Sequence, residues 1–346
     1  MSHCLNRLVN VFCLSFFLLM MAGPLSGQMK LREELINQQQ GGYVLASFSH
    51  GSVYTANFSK RDDWSAETRL PPPADHVQDG LLSPDGKLIA LFFQDISGPY
   101  RFGLGIIRRD GSDLREYSGI ESALCWSPDS RRIIVRQNLP QRTYRPMLLD
   151  LESGASREID VPSHASFTSQ CWSPDGQQLV YHVLDREPTP WIPENSKKKE
   201  SPNPGTIFIY DIEQKKRQDL GRGQDATWSP DGNWIAYWNA GAAWRIKPTG
   251  EASQRLFKRK EPESPLVWSP DSRLVLYFHC CYLAPSLRCM CDVGRDYVRR
   301  LSDHSEIRVG EGSPSANTDV WIKSRERASY GRTEGRALRP KANTGN

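Results

Sequence analysis

Apolar residues in this chain fall in short runs separated by clusters of Gly, Pro, Asp and Ser. Runs such as Leu88-Ile89-Ala90, Ile133-Ile134-Val135, Leu179-Val180-Tyr181, Trp234-Ile235-Ala236-Tyr237 and Leu274-Val275-Leu276-Tyr277 are too short for helices and read as strands. Each follows the same turn signature: Leu82-Ser83-Pro84-Asp85-Gly86, Trp126-Ser127-Pro128-Asp129-Ser130, Trp172-Ser173-Pro174-Asp175-Gly176, Trp228-Ser229-Pro230-Asp231-Gly232 and Trp268-Ser269-Pro270-Asp271-Ser272. The serines stand 44, 46, 56 and 40 residues apart, the length of a four-stranded propeller blade. The motif has a physical reading as a tight hairpin. Pro presets φ at the first central position, Asp bonds the backbone two residues on, and Gly accepts positive φ. Ser130 and Ser272 stand in place of that Gly. Positive φ costs a non-glycine about 1 kcal/mol, so these two turns are expected to be of another type. Asp85, Asp129, Asp175, Asp231 and Asp271 are read as turn residues, not as a ring of catalytic carboxylates.

Third strands follow in each unit (Leu104-Gly105-Ile106-Ile107, Met147-Leu148-Leu149, Ile207-Phe208-Ile209-Tyr210, Ala243-Trp244-Arg245-Ile246), then a polar turn and a short fourth strand. The five motif copies resemble the WD40-like repeat of the TolB-type six-bladed propeller family over roughly residues 42–302. Leu82 in place of Trp and the two Ser substitutions are departures from that pattern. The resemblance implies an all-β fold, a six-bladed β-propeller of four-stranded antiparallel blades. A sixth blade is visible without its motif, in Tyr43-Val44-Leu45-Ala46 and Val53-Tyr54-Thr55-Ala56, and lacks an inner strand. Asp319-Val320-Trp321-Ile322-Lys323 is expected to supply it, so that the two ends of the propeller interlock and no sheet edge is left open. Seven blades follow instead if residues 303–323 form a degenerate one.

The flanks are different. Residues 8–23 are almost wholly apolar after Arg7, and small residues follow at Gly23-Pro24-Leu25-Ser26-Gly27. Residues 1–27 therefore read as a secretory signal peptide cleaved before Gln28, with an uncleaved anchor as the alternative. Residues 28–41 are a polar, Gln-rich segment, too short for the α/β domain that TolB carries before its propeller. Residues 42–323 form the propeller. Residues 324–346 carry a net +4, are poor in apolar residues and read as a disordered basic tail. With Arg7 and that tail set aside, residues 8–323 carry a net −1, which offers no electrostatic footprint for nucleic acid. The insertion at 185–205, with Trp191 and Lys197-Lys198-Lys199, lies on the face opposite the Ser-Pro-Asp turns and is the candidate binding-face loop.

No nucleophile elbow, zinc-protease pair, phosphate-cradling loop or calcium loop is present in the sequence. The histidines are scattered, although a propeller can gather inner-strand residues around its channel. Cys280, Cys281, Cys289 and Cys291 form the most unusual local cluster. In an oxidising compartment a disulfide among them is the leading reading, with buried thiols and a zinc site as alternatives. Cys125 and Cys171 occupy equivalent inner-strand positions in adjacent blades and are expected to be small buried residues. The functional expectation is a periplasmic or secreted, monomeric, non-enzymatic scaffold. It would bind a protein or cell-envelope component, with no cofactor and no membrane span once the signal is removed. The alternative is a propeller enzyme, a hydrolase or lyase, with its site in the central channel. A channel ringed by His, Asp and Arg favours the enzyme, and one lined by small and apolar residues favours the binder.

Overall fold

The structure, a computed structural model, describes residues 28–49, 51–56, 64–70, 77, 80–95, 101–139, 143–184, 205–258, 264–280, 294–311 and 320–323. Among them lie six antiparallel sheets, five of four strands and one of three. They are named here blades 1 to 6 in chain order. Blade 2 runs outward through Gly80–Leu82, Leu88–Asp95, Arg101–Arg108 and Arg115–Ser118. Blade 3 comprises Ile120–Trp126, Arg132–Leu139, Thr143–Asp150 and Ser156–Glu158. Blade 5 comprises Gln224–Trp228, Ile235–Asn239, Ala242–Ile246 and Gln254–Lys258. Blade 6 comprises Val267–Trp268, Leu274–Cys280, Gly294–Arg300 and Glu306–Glu311.

Blade 1 is closed from both ends of the propeller. The strand Val320–Lys323 pairs antiparallel with Tyr43–Ser49, setting Leu45 opposite Trp321 and Tyr43 opposite Lys323. Ser52–Ala56 and Trp64–Arg69 complete the sheet. Blade 4 is the irregular one. Its strands Gln178–Val183, Thr206–Asp211 and Lys216–Arg222 form a regular sheet, but the innermost position is held only by two isolated bridges, Ser166 to His182 and Trp172 to Leu179.

The Ser-Pro-Asp turns share one hydrogen-bond scheme. In blade 2 the Ser83 hydroxyl donates to Asp85 Oδ1 at 2.7 Å and accepts the Leu88 N–H at 2.9 Å, while Asp85 Oδ1 also accepts the Lys87 N–H at 3.0 Å. The same bonds recur around Ser127, Ser173, Ser229 and Ser269, and all five serines are buried. The expectation of a different turn at Ser130 and Ser272 is corrected. Both sit at φ 59°, beside 68° for Gly86 and 71° for Gly176, so the turn is the same. A bond to the preceding blade offsets the strain. Ser130 Oγ accepts the Asp85 N–H at 3.1 Å, and Ser272 Oγ accepts the Asp231 N–H at 3.0 Å.

Residues 28–40 form a helix, α1. Leu31 and Leu35, one turn apart, are both fully buried and pack against Leu45 of blade 1 and Val267, Leu274 and Leu276 of blade 6. Glu34 accepts from Arg300 Nε at 2.7 Å, and Arg300 also bonds Asp303. The helix therefore sits across the closure of the ring. Among the described residues, no helix is long and apolar enough to cross a membrane.

Candidate functional site

On the face of the Ser-Pro-Asp turns, the inner strands end in a ring of large side chains. Trp126, Trp172, Trp228, Trp268 and Trp321 occupy five places and Leu82 the sixth. Each tryptophan packs against the blade before its own. Trp126 lies with Leu82 and Ile89 of blade 2, Trp228 with Val180 and Ile209 of blade 4, and Trp321 with Leu274 and Leu276 of blade 6. Indole and aliphatic surface together fill the wedge between neighbouring sheets, where burial of apolar area stabilises each junction. Blade 1 lacks the motif, yet Trp321 supplies the equivalent wedge from its closing strand.

Above this ring stand Pro84, Pro128, Pro174, Pro230 and Pro270, one from each turn. Together the two rings wall a cavity of about 410 Å³ at the mouth of the channel, which Tyr43, Asp85, Ser169 and Gln170 also line. That volume lies at the lower end of the range for ligand sites, ~300–1,000 Å³. One wall position carries Leu82 in place of an indole.

The irregular segment of blade 4 contributes Ser169 and Gln170 to the lining. Gln170 O accepts the Trp228 N–H at 2.9 Å. The Gln170 side chain reaches past blade 5 to blade 6, its Oε1 accepting the Trp268 N–H at 2.8 Å and its Nε2 donating to Trp268 O at 3.2 Å. Thr168 adds a bond to Ala226 O at 2.7 Å. These contacts explain why the segment leaves its own sheet between its two bridges: Thr168 and Gln170 find their partners in blades 5 and 6 instead. The cavity is a cup to which this segment adds the polar residues Ser169 and Gln170.

Trp172 and Trp228 in the wall differ from Trp126 and Trp268. Trp126 Nε1 donates to Leu81 O at 2.9 Å and Trp268 Nε1 to Thr227 O at 3.3 Å. The corresponding carbonyls for Trp172 and Trp228 belong to Cys125 and Cys171, and these two buried N–H groups have no hydrogen-bond partner among the described residues. The same two cysteines are joined in a disulfide, with Cα atoms 6.2 Å apart. Cys125 and Cys171 are fully buried, as expected of small residues at these positions, and the disulfide goes beyond that expectation: equivalent positions on adjacent inner strands come close enough to bond. Of the cluster read as the disulfide candidate, Cys281, Cys289 and Cys291 lie outside the described residues, as does the side chain of Cys280. Trp191, Lys197, Lys198 and Lys199, residues 1–27 expected to be a signal peptide, and the basic segment 324–346 lie outside them too.

The turn carboxylates stand at the rim. Burial pushes Asp85 up, but the Ser83 hydroxyl, the Lys87 amide and the Lys87 ammonium at 3.0 Å outweigh it and hold the carboxyl below its ordinary 3.8. Asp129 and Asp231 are lowered in the same way, against burial, by Ser127 with Arg131 and by Ser229 with Asn233. These groups are committed to turn bonds and stay ionised.

A second titratable pair sits where blades 4 and 5 meet, at the end of the inner strand remote from the turns. Asp225, at φ 54°, donates its N–H to His182 Nδ1 at 3.1 Å. The bond requires an imidazole with its proton on Nε2. Burial lowers the basicity of His182, opposed by the Asp225 charge, and burial raises Asp225, opposed by His182 and Gln224. The scattered histidines gave no motif, and this pairing depends on the inner-strand irregularity, which the repeat does not contain.

No family model matches the chain. No curated protein matches it either. Solved structures do. TolB from Acinetobacter baumannii superposes with a TM-score of 0.57 at 14% identity, over 81% of this chain and 66% of that one. The chain thus spans just under two thirds of that protein. A putative TolB from Agrobacterium tumefaciens gives a TM-score of 0.50 at 16% identity, over 81% of this chain and 96% of the other. The nidogen/laminin complex contains a chain that matches with a TM-score of 0.52 at 12% identity, over 82% of this chain and all of that one. At such identities the likeness is one of fold, and the fold shared with TolB is the β-propeller.

Proposed function

We propose that this protein is an exported, non-enzymatic propeller scaffold that binds a protein or cell-envelope component through the cup on its turn face. One observation carries the reading: the cup is walled largely by indole and proline, with the carboxylate that lines it, Asp85, bound up in its turn. Such a surface gives apolar contact area with few fixed polar anchors, which suits recognition more than acid–base chemistry. The leader at residues 8–23 and the Cys125–Cys171 disulfide support export to an oxidising compartment.

A channel enzyme is the second reading, and His182 with Asp225 is the observation on its side. His182 is 5% exposed and its Nδ1 is tied to backbone, so we assign the pair a structural role in holding blade 5 to blade 4.

Photo-crosslinking tests the binding reading. A photoreactive side chain at Tyr43, on the cup, is expected to capture one dominant component of a native envelope extract. The same group at Glu116, on an outer strand, is expected to capture none. Equal capture from both positions, or none from Tyr43, would overturn the proposal.

A further inference from the structure

Four tryptophans of the wall precede a Ser-Pro-Asp turn, and their indole N–H groups fall into two pairs. Trp126 and Trp268 donate to Leu81 O and Thr227 O, in each case the carbonyl one residue before the ring residue of the preceding blade. By the same rule the acceptors for Trp172 and Trp228 are Cys125 O and Cys171 O. Neither N–H has a partner among the described residues, although both indoles are buried. The two residues whose carbonyls are missed are the two that the disulfide joins.

A carbonyl oxygen has two lone pairs, so a bond within the sheet does not exclude the indole. Cys171 O accepts the Val180 N–H at 2.7 Å and keeps a second lone pair for Trp228. What sets these two junctions apart is the covalent link, which confines the approach of two backbones to the narrow geometry a disulfide tolerates. A buried donor without an acceptor is destabilising. The wall thus has two competing arrangements. Either the disulfide is closed and two indoles lack acceptors, or it is open and both are bonded as at Trp126 and Trp268.

We propose that Cys125–Cys171 is a redox-sensitive switch in the wall of the cup. A dithiol reductant opens it in two exchange steps. One reductant thiolate attacks Cys171 Sγ and Cys125 leaves as a thiolate. The second reductant thiolate then closes the reductant's own disulfide and releases Cys171. The two cysteines take up two electrons and two protons, and the dithiol is oxidised. Trp172 and Trp228 then bond to the freed backbone and re-seat the wall where blades 3, 4 and 5 meet. Both cysteines are fully buried, so exchange waits on a local opening. Residues 166–172 provide it, since only the bridges at Ser166 and Trp172 hold them to blade 4. Gln170, next to Cys171, latches them to Trp268. The effect on what the cup binds rests on the reading of the cup as a binding site, whereas the change in the wall does not.

Protein labelled with 15N at its indoles is compared with and without dithiothreitol, Trp172→Phe and Trp228→Phe supplying the assignments. On reduction these two N–H resonances are expected to move downfield and to exchange with solvent about tenfold more slowly, the effect of one gained hydrogen bond. Those of Trp126 and Trp268 are expected to stay. Cys125→Ala with Cys171→Ala, which leaves the other cysteines in place, should give the reduced pattern without reductant. Gln170→Ala is expected to speed thiol release in native buffer about tenfold, and an unchanged rate overturns the route through this segment. Indoles of Trp172 and Trp228 that do not move in either form would overturn the switch. So would loss of the whole indole pattern on reduction, which would leave the bond a structural staple. Capture by the Tyr43 probe is expected to differ at least about fivefold between the parent and the double Ala variant. Equal capture would overturn the switch as a regulator and leave the binding reading standing. No capture by either form, with the indoles moved, would overturn the binding reading alone.

Discussion

Cys125 and Cys171 each stand one residue before a wall tryptophan of the cup, on neighbouring inner strands, and a disulfide joins them. The bond closes a loop of 46 residues that contains most of blade 3. It therefore links two blades at the channel. Chain-entropy arguments give such a loop roughly 4 kcal/mol of stabilisation. Cys125→Ala with Cys171→Ala is expected to lower the urea midpoint accordingly, and reduction of the parent protein to do the same. Peptide mapping without reduction should return a Cys125–Cys171 linked pair. Equal midpoints with and without reductant would remove the disulfide from the account of stability.

The turn at Ser130 balances a backbone cost against a hydrogen bond. Ser130→Gly relieves the positive φ but loses the acceptor for the Asp85 N–H, so stability is expected to change by less than about 1 kcal/mol. Ser130→Ala keeps the strain and loses the bond, and should be less stable than the Gly variant by about 1 kcal/mol. The same order is expected at Ser272, whose Oγ accepts from Asp231. Chemical denaturation of the four variants gives the ranking, and an Ala variant as stable as the Gly variant at both positions would remove the strain argument.

The propeller was legible because its repeat is chemical as well as periodic. Pro, Asp and the Gly or Ser of each turn serve one hydrogen-bond scheme, and the Trp before them serves one packing wedge. The closing strand was legible for a related reason, since a blade without an inner strand leaves an edge that some segment has to cover. What escaped the sequence is what departs from the repeat. Gln170 is an ordinary polar residue in sequence, and its role arises only because its segment abandons blade 4 for blades 5 and 6. Cys125 and Cys171 lie 46 residues apart, and only the rotation between blades brings them together. In α1 the apolar face is narrow, Leu31 and Leu35 amid Gln and Glu, so residues 28–41 read as polar.

That helix is expected to contribute to stability in proportion to its two leucines. Leu35 is fully buried between blades 1 and 6, so Leu35→Ala should cost about 2–5 kcal/mol. Arg300→Ala leaves Glu34 without its partner at a site where Arg300 is nearly buried, and should also destabilise. Differential scanning calorimetry checks both. If Leu35→Ala melts with the parent protein, α1 rests on the propeller without being part of its cooperative unit.

His182 and Asp225 predict a pH dependence of stability whose two parts have opposite sign. His182 has its basicity lowered from 6.5, so the unfolded chain binds a proton that the folded one resists. Its contribution is present above pH 6.5 and is lost as pH falls below it. Asp225 is raised from 3.8, so burying its charge costs stability at neutral pH, and that cost is relieved as pH falls through the raised value. The two effects offset each other in the mildly acidic range. Asp225→Asn separates them. Asn tolerates the positive φ, retains the N–H that His182 accepts and carries no charge to bury. The variant is expected to be more stable than the parent at pH 7.5. It should then lose stability more steeply between pH 6.5 and 5, because the carboxylate that favoured a charged His182 is gone and no second group gains a proton in compensation. Urea midpoints at pH 7.5, 6 and 5 measure both slopes. A variant less stable at pH 7.5, or one with the parent's slope, would show that this pair is not the buried, coupled unit its geometry implies.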